Sequence, residues 1–161
     1  MRNLSLRSYY LLGGLTALLL VAGAVYMEFA LQLPPCPLCI MQRLILIVLG
    51  AGLLLGALIN PKRRCGLNIS HTVFFAIAIF GLAIASRQLW LQHQPIDPNA
   101  MCAPAFTYMI QHMPLTTTLK MLLFGTGECG KVNWTFLGLS IPGWTALIFI
   151  VYALFALILL K

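Results

Sequence analysis

The stretch CPLCIMQRLILIVLGAGLLLGALI, residues 36–59, joins two closely spaced cysteines to a long apolar run. A helix needs about 20 apolar residues to cross the hydrocarbon core of a membrane, and the run from Ile40 to Ile59 has that length. Pro37 is tolerated where such a helix begins, because the N–H that proline lacks has no partner in a first turn. The stretch therefore predicts a membrane-spanning helix that begins beside a Cys-x-x-Cys pair.

Three further runs have the same length and character, and they account for most of the remaining chain. Hydrophobic residues make up 61% of the sequence and charged residues only 8%, which leaves no soluble domain. We therefore expect an all-α membrane protein with a single domain over residues 1–161, built as a bundle of four transmembrane helices. The predicted spans are Tyr9 to Leu31, Ile40 to Ile59, Thr72 to Leu91, and Pro142 to Leu160.

The positive charges indicate the orientation of these spans. A net charge of +7 is typical of many nucleic-acid-binding proteins, but here the cations are scattered and flank the apolar runs, so no nucleic acid is expected. The link 60–71 carries the basic triplet of Lys62, Arg63 and Arg64. By the positive-inside rule, this link and both termini face the cytoplasm, and residues 32–39 and 92–141 lie outside.

The long outer segment is too polar to cross the membrane. Residues 103–127 mix aromatic, Met and Leu residues with Thr, Gln, His and Lys, a composition that indicates a short amphipathic helix lying in the membrane interface. The pair Met113-Pro114 is expected to divide this segment in two. Glu28, near the outer end of the first span, is expected either to line the mouth of the bundle or to reach water, and we favour water.

Five cysteines are distributed between the two sides of the membrane. Four fall in the outer segments, where disulfides persist, and Cys65 falls in the inner link, where thiols stay reduced. Four cysteines allow three pairings, which the sequence leaves open. A disulfide within Cys-x-x-Cys closes a very small ring and stabilises little, so this pair makes more sense as a redox couple. The outer cysteines are Cys36, Cys39, Cys102 and Cys129.

The residues around the Cys-x-x-Cys pair favour a reactive thiolate. Cys39 would lie in the first turn of its helix, and Arg43 shares its face one turn later, so a cation and a helix N-terminus would both stabilise a negative sulfur. The alternative chemistry for four cysteines is a zinc site. Cys102 and Cys129 lack the close spacing of metal ligands, and we predict no metal site.

Three local motifs resemble the DsbB family of disulfide bond formation proteins, in the order that the family has them. They are PCPLCIMQR at Pro35 to Arg43, Trp90-Leu91-Gln92, and WTFLGLSIPGW at Trp134 to Trp144. The resemblance covers nearly the whole chain, including the four spans and a cysteine pair in each outer loop. It implies a multi-pass protein of the bacterial inner membrane.

The resemblance also implies an electron relay from a periplasmic DsbA-like oxidase to a membrane quinone, either ubiquinone or menaquinone. The partner would be reoxidised by a disulfide between Cys102 and Cys129, with Cys102 forming the mixed disulfide. Electrons would then pass to the pair Cys36 and Cys39, and Cys39 would meet the quinone. The residues expected to bind the quinone are Arg43, Gln42 and Gln88.

A function of another class is compatible with the same sequence features. A four-helix membrane scaffold or assembly factor could carry structural disulfides or a metal held by its cysteines. Bound quinone in the purified protein would favour the enzyme. Stoichiometric zinc and inert disulfides would favour the scaffold.

Overall fold

The computed structural model describes residues 6–30, 32, 35–59, 64–94, 106–132 and 134–160. Within these ranges, side chains are not described for Arg64, Cys65, Phe106, Thr107, Ile110 and Glu128. The elements are α1 (Leu6–Ala30), α2 (Pro37–Ile59), α3 (Arg64–Gln92), α4 (Phe106–His112), α5 (Leu115–Phe124), a short 3-10 helix (Gly127–Gly130), β1 (Thr135–Phe136), β2 (Leu139–Ser140) and α6 (Ile141–Leu160).

Four of these helices, α1, α2, α3 and α6, are long and apolar enough to cross a membrane, which confirms the predicted fold class. The largest difference from the predicted boundaries is in α3, which begins at Arg64 and not at Thr72. Its first turns contain polar residues that bond to the helix backbone, with Ser70 Oγ donating to the Gly66 carbonyl at 2.9 Å and Thr72 Oγ1 to the Asn68 carbonyl at 2.8 Å. Hydropathy therefore predicts only the apolar part of this helix.

Small residues allow the neighbouring spans to pack closely. A Cβ atom added to Gly14 would lie 2.6 Å from Leu54 Cγ and 3.0 Å from the Gly50 carbonyl, so α1 and α2 touch at their backbones. Between α3 and α6, a Cβ on Gly81 would lie 2.3 Å from the ring of Phe149, which is fully buried. Packing of this kind replaces the hydrophobic driving force, which is missing between helices in lipid.

Polar contacts join the helices at the end of the bundle remote from the Cys-x-x-Cys pair. Tyr10 Oη lies 2.7 Å from His71 Nε2 and ties α1 to α3. Tyr152 on α6 donates to the Gly13 carbonyl of α1 at 2.8 Å and lies 2.9 Å from Thr16 Oγ1. Buried polar groups in a membrane protein need such partners, so these contacts fix α1 and α6 to each other at this end.

The segment between α3 and α6 crosses the other end, which we call the cysteine end. It contains α4 and α5, separated at Met113 and Pro114 as predicted, and then the 3-10 helix and a small hairpin. The strands pair antiparallel through a turn in which Leu137 and Gly138 have φ of +51° and +80°. Both values are typical of the tight turns that join hairpin strands. The hairpin leads directly into α6.

Candidate functional site

Cys36 and Cys39 lie where α2 begins. The Cys36 carbonyl accepts the first hydrogen bond of the helix, from Ile40 N at 3.1 Å, and this turn brings the two side chains together. Their Sγ atoms are 3.0 Å apart, and both cysteines are free thiols. Since a disulfide bond is about 2.05 Å long, a small side-chain shift would join them.

Cys129 reaches the same place from the opposite loop. It lies in the 3-10 helix, is almost fully buried and has its backbone N–H bonded to the Thr126 carbonyl at 2.9 Å. Its sulfur accepts hydrogen bonds from the Cys36 thiol and from the backbone N–H of Leu38. The side chain of Cys36 therefore contacts both Cys39 and Cys129. The predicted partner of Cys129, Cys102, lies outside the described residues.

These contacts distribute protons unevenly between the thiols. The hydrogen bond from Cys36 is the main cause that lowers the pKa of Cys129 from 9.0 to about 6, and it outweighs burial, which acts in the opposite direction. The single S–H of Cys36 is shared between the sulfurs of Cys129 and Cys39, which raises the pKa of Cys36 well above the usual thiol range, and burial adds to this. Near neutral pH, Cys36 keeps its proton and Cys129 is a thiolate.

We expect the reduced protein to show this directly in the pH titration of Cys129. Its ¹³Cβ chemical shift in cysteine-labelled protein should change with a midpoint near pH 6, so that the thiolate is present above that pH and lost below it. Cys36→Ala removes the hydrogen bond that is the main cause of the lowered pKa of Cys129, so the midpoint should move to higher pH. A midpoint that is the same in both proteins would contradict the assigned hydrogen bond.

Two glutamines border the Cys-x-x-Cys pair. Gln42 on α2 and Gln88 on α3 are each only 3% exposed, and Gln42 Nε2 donates to Gln88 Oε1 at 2.7 Å. Gln88 Nε2 lies 3.2 Å from the sulfur of Cys36 and 3.2 Å from the sulfur of Cys39. Both glutamines also line an apolar cavity that lies between α1 and α6 at the cysteine end. The prediction that they contact a quinone stays a prediction.

Arg43 lies one turn further along α2 and is held by α1. Its guanidinium forms an ion pair with Glu28 and donates to the Ala24 carbonyl at 3.0 Å. Glu28 therefore lines the mouth of the bundle as the partner of Arg43, and does not simply reach water as we favoured. Because α1 and α2 are antiparallel, the end of α1 lies level with the start of α2. The signal in the sequence was an acidic residue inside an apolar run, which usually has a partner.

A cavity of about 580 Å³ lies beside these residues at the cysteine end, between α1 and α6. Its walls are mainly apolar, with aromatic side chains of the hairpin region on one side, where Trp134 stacks on Phe136. The polar groups that line it include Cys36, Cys39, Gln88, Arg43 and Glu28. An apolar pocket with a few convergent polar groups is the usual form of a site for a small organic ligand.

The model of the family described as "Disulfide bond formation protein DsbB" matches residues 6–159. The chain belongs to the DsbB family. This result confirms the resemblance seen in the three sequence motifs, and it makes the chain a disulfide bond formation protein.

Relatives of this DsbB-family chain are similar over most of their length. A disulfide bond formation protein B of Nitrosococcus oceani is 40% identical over 148 residues, covering 92% of this chain and 87% of the relative. That of Hahella chejuensis is 43% identical over 144 residues, covering 89% and 87%. Disulfide bond formation protein B 1 of Pseudomonas aeruginosa is 38% identical over 152 residues, covering 94% and 93%.

Proposed function

We propose that this DsbB-family protein is a thiol:quinone oxidoreductase. It reoxidises a periplasmic DsbA-like thiol oxidase and passes the electrons through two cysteine pairs to a membrane quinone. The observation that carries the proposal is the position of Cys36, whose thiol contacts both Cys39 and Cys129 at the edge of an apolar cavity.

The two cysteine pairs would work by thiol-disulfide exchange. The two thiols of the reduced partner give up two electrons and two protons to the Cys102–Cys129 disulfide, so one disulfide forms in the partner and one breaks here. The Cys129 thiolate then attacks the Cys36 sulfur of a Cys36–Cys39 disulfide and releases Cys39 as a thiolate. Attack of Cys102 on Cys129 restores the first disulfide and frees Cys36. The hydrogen bond from the Cys36 thiol is absent while Cys36 is in a disulfide, but the backbone N–H of Leu38 still lowers the pKa of Cys129 and favours its thiolate for this step.

The chemistry of the cavity supports a ubiquinone or menaquinone head group as the ligand, because its walls are mainly apolar and Arg43 lines it. When bound, a quinone supplies an acceptor for two electrons and two protons. Cys36 and Cys39 would give these up as their two S–H bonds break and an S–S bond forms. Arg43 would donate hydrogen bonds to a ring oxygen and stabilise its negative charge.

Energetics favours an acceptor of this kind. A DsbA-type oxidase has a potential near about −120 mV, and every 30 mV uphill costs about 1.4 kcal/mol in a two-electron step. A disulfide of ordinary potential in water oxidises such a partner only with difficulty. A protein embedded in the membrane can meet both the aqueous partner and a lipid-soluble acceptor of higher potential.

The orientation belongs to the same proposal, with the cysteine end in the periplasm and both termini in the cytoplasm. Cys65, at the start of α3, should then react with an impermeant maleimide only after the inner face of the membrane is exposed. Labelling in inside-out and right-side-out vesicles measures this. Reaction of Cys65 in right-side-out vesicles would reverse the orientation and exclude a periplasmic partner.

Purified protein mixed with a reduced DsbA-like oxidase and a soluble ubiquinone analogue tests the function as a whole. We expect oxidation of the partner and reduction of the quinone in a one-to-one ratio, with neither occurring when the protein is left out. Bound zinc together with disulfides that do not exchange with the partner would instead identify a scaffold.

A further inference from the structure

We propose that Gln88 is a positioning residue for the Cys36–Cys39 pair, and that Gln42 fixes the direction in which the Gln88 amide points. The proposal rests on the redox role given to this pair above. It concerns the sulfur atoms and not the quinone, so it can be tested without acceptor or partner.

The amide nitrogen of Gln88 lies between the two sulfurs. Its distances to Cys36 Sγ and Cys39 Sγ are both 3.2 Å, and a primary amide has two N–H groups, one for each sulfur. With Gln88 only 3% exposed, water has little access to replace these bonds. The amide can therefore stabilise negative charge on either sulfur without moving.

The direction of the Gln88 amide decides whether it helps or opposes a thiolate. Gln88 Oε1 is further from the sulfurs, at 3.7 Å from Cys39 Sγ, and turning the amide over would bring this oxygen to the position of Nε2, where it would repel a negative charge. Gln42 opposes this turn, because its Nε2 donates to Gln88 Oε1 at 2.7 Å, and if Gln88 turned alone two NH₂ groups would meet. Gln42 is also only 3% exposed, so the amide of Gln88 keeps its direction unless both amides turn together.

This arrangement suits the chemistry of a dithiol. Before the S–S bond of the pair forms, one of its two sulfurs must carry a negative charge. When a thiolate opens the disulfide, the sulfur that is released receives the negative charge. A neutral amide bonded to both sulfurs serves each direction. An amide does not titrate, so its donation is the same at every pH at which the protein works.

The test is the pH dependence of thiol alkylation in reduced protein without quinone. Iodoacetamide labelling of Cys36 and Cys39 is followed for each cysteine by mass spectrometry between pH 5 and pH 10. With Gln88→Leu, we expect the midpoint for the more reactive cysteine to rise by about one pH unit, roughly a tenfold loss of thiolate at fixed pH. Gln88→Met, which keeps the length and the neutral charge but loses the donors, should raise it by a similar amount and serves if the leucine variant does not fold.

A double-mutant cycle tests the role of Gln42. Gln42→Leu alone should raise the midpoint by less than Gln88→Leu, and the double variant should equal Gln88→Leu, because Gln42 acts through Gln88. Additive shifts would overturn the role given to Gln42. The matched control is Gln92→Leu, one turn along α3, whose amide oxygen accepts from Ser140 at 2.8 Å and contacts neither sulfur.

The surrounding charges stay the same in all these variants. They are Cys129 in the 3-10 helix, Arg43 on α2, Glu28 on α1 and Lys131 beside the hairpin. An unchanged midpoint in folded Gln88→Leu or Gln88→Met would overturn the proposal. A raised midpoint in a protein that reduces no quinone would support the positioning role and reject the proposed function, so the two failures are distinct.

Discussion

Replacing Cys39 by serine is expected to abolish quinone reduction driven by the reduced DsbA-like partner. Serine is close to cysteine in size but cannot form a disulfide. Electrons can therefore enter the Cys102–Cys129 pair but cannot pass on to a Cys36–Cys39 disulfide. The Cys102–Cys129 disulfide should still form and oxidise one equivalent of partner. Stopped-flow absorbance of the quinone and alkylation of the partner measure the two steps separately.

Cys65→Ser is the matched control for this experiment, because it makes the same substitution in the same protein at the start of α3, far from the other described cysteines. We expect its turnover to equal that of the unchanged protein. Normal steady-state turnover in Cys39→Ser would remove the Cys-x-x-Cys pair from the electron path and the proposed mechanism with it.

Arg43→Ala is expected to raise the apparent KM for quinone roughly ten- to a hundredfold, which corresponds to the loss of one charge-assisted hydrogen bond of about 1.5 to 3 kcal/mol. The KM for the partner should change far less, because Arg43 lies inside the second span. The guanidinium has five N–H groups, and Glu28 and the Ala24 carbonyl leave some of them for a ligand in the cavity. Arg43→Lys should recover only part of the affinity, since lysine lacks the planar fork.

The ion pair makes a second variant informative. Arg43→Ala also leaves the Glu28 carboxylate unpaired beside the cavity, where its charge would oppose a developing negative charge on a ring oxygen. Adding Glu28→Gln to Arg43→Ala should therefore restore part of the quinone affinity. Titrating quinone at saturating reduced partner, and then the reverse, measures both constants. An unchanged quinone KM with a raised partner KM would place Arg43 on the docking surface.

The sequence predicts the features of this molecule that depend on neighbouring residues. Apolar runs of sufficient length become spans because lipid forces the backbone to bond within each segment, and the bounds of α2 and α6 agree with the predicted spans to within three residues. The start of α3 was missed because polar residues such as Asn68 and His71 can continue a helix beyond an apolar run.

The candidate site depends on contacts between distant parts of the chain, and the sequence predicts these contacts less well. Arg43 could be placed beside Cys39 because both lie on one helix face. Its pairing with Glu28 requires α1 to lie against α2, and the contact of Gln88 with both sulfurs requires α3 to approach at one particular register. Neither register is encoded in a local pattern. The contact between Cys36 and Cys129 likewise depends on how the long segment folds back over the bundle.

The position of Cys36 between two other sulfurs bears on the speed of the proposed reaction. Passing a disulfide from one loop to the other requires the Cys36 side chain to change partners, which involves rotation about its own bonds and no displacement of a helix. Side-chain rotations are many orders of magnitude faster than the collective movements of helices or domains, which take microseconds to milliseconds. In the proposed cycle, the internal exchange therefore waits for no helix movement, and its rate depends on the bond exchange itself, which requires the Cys129 thiolate.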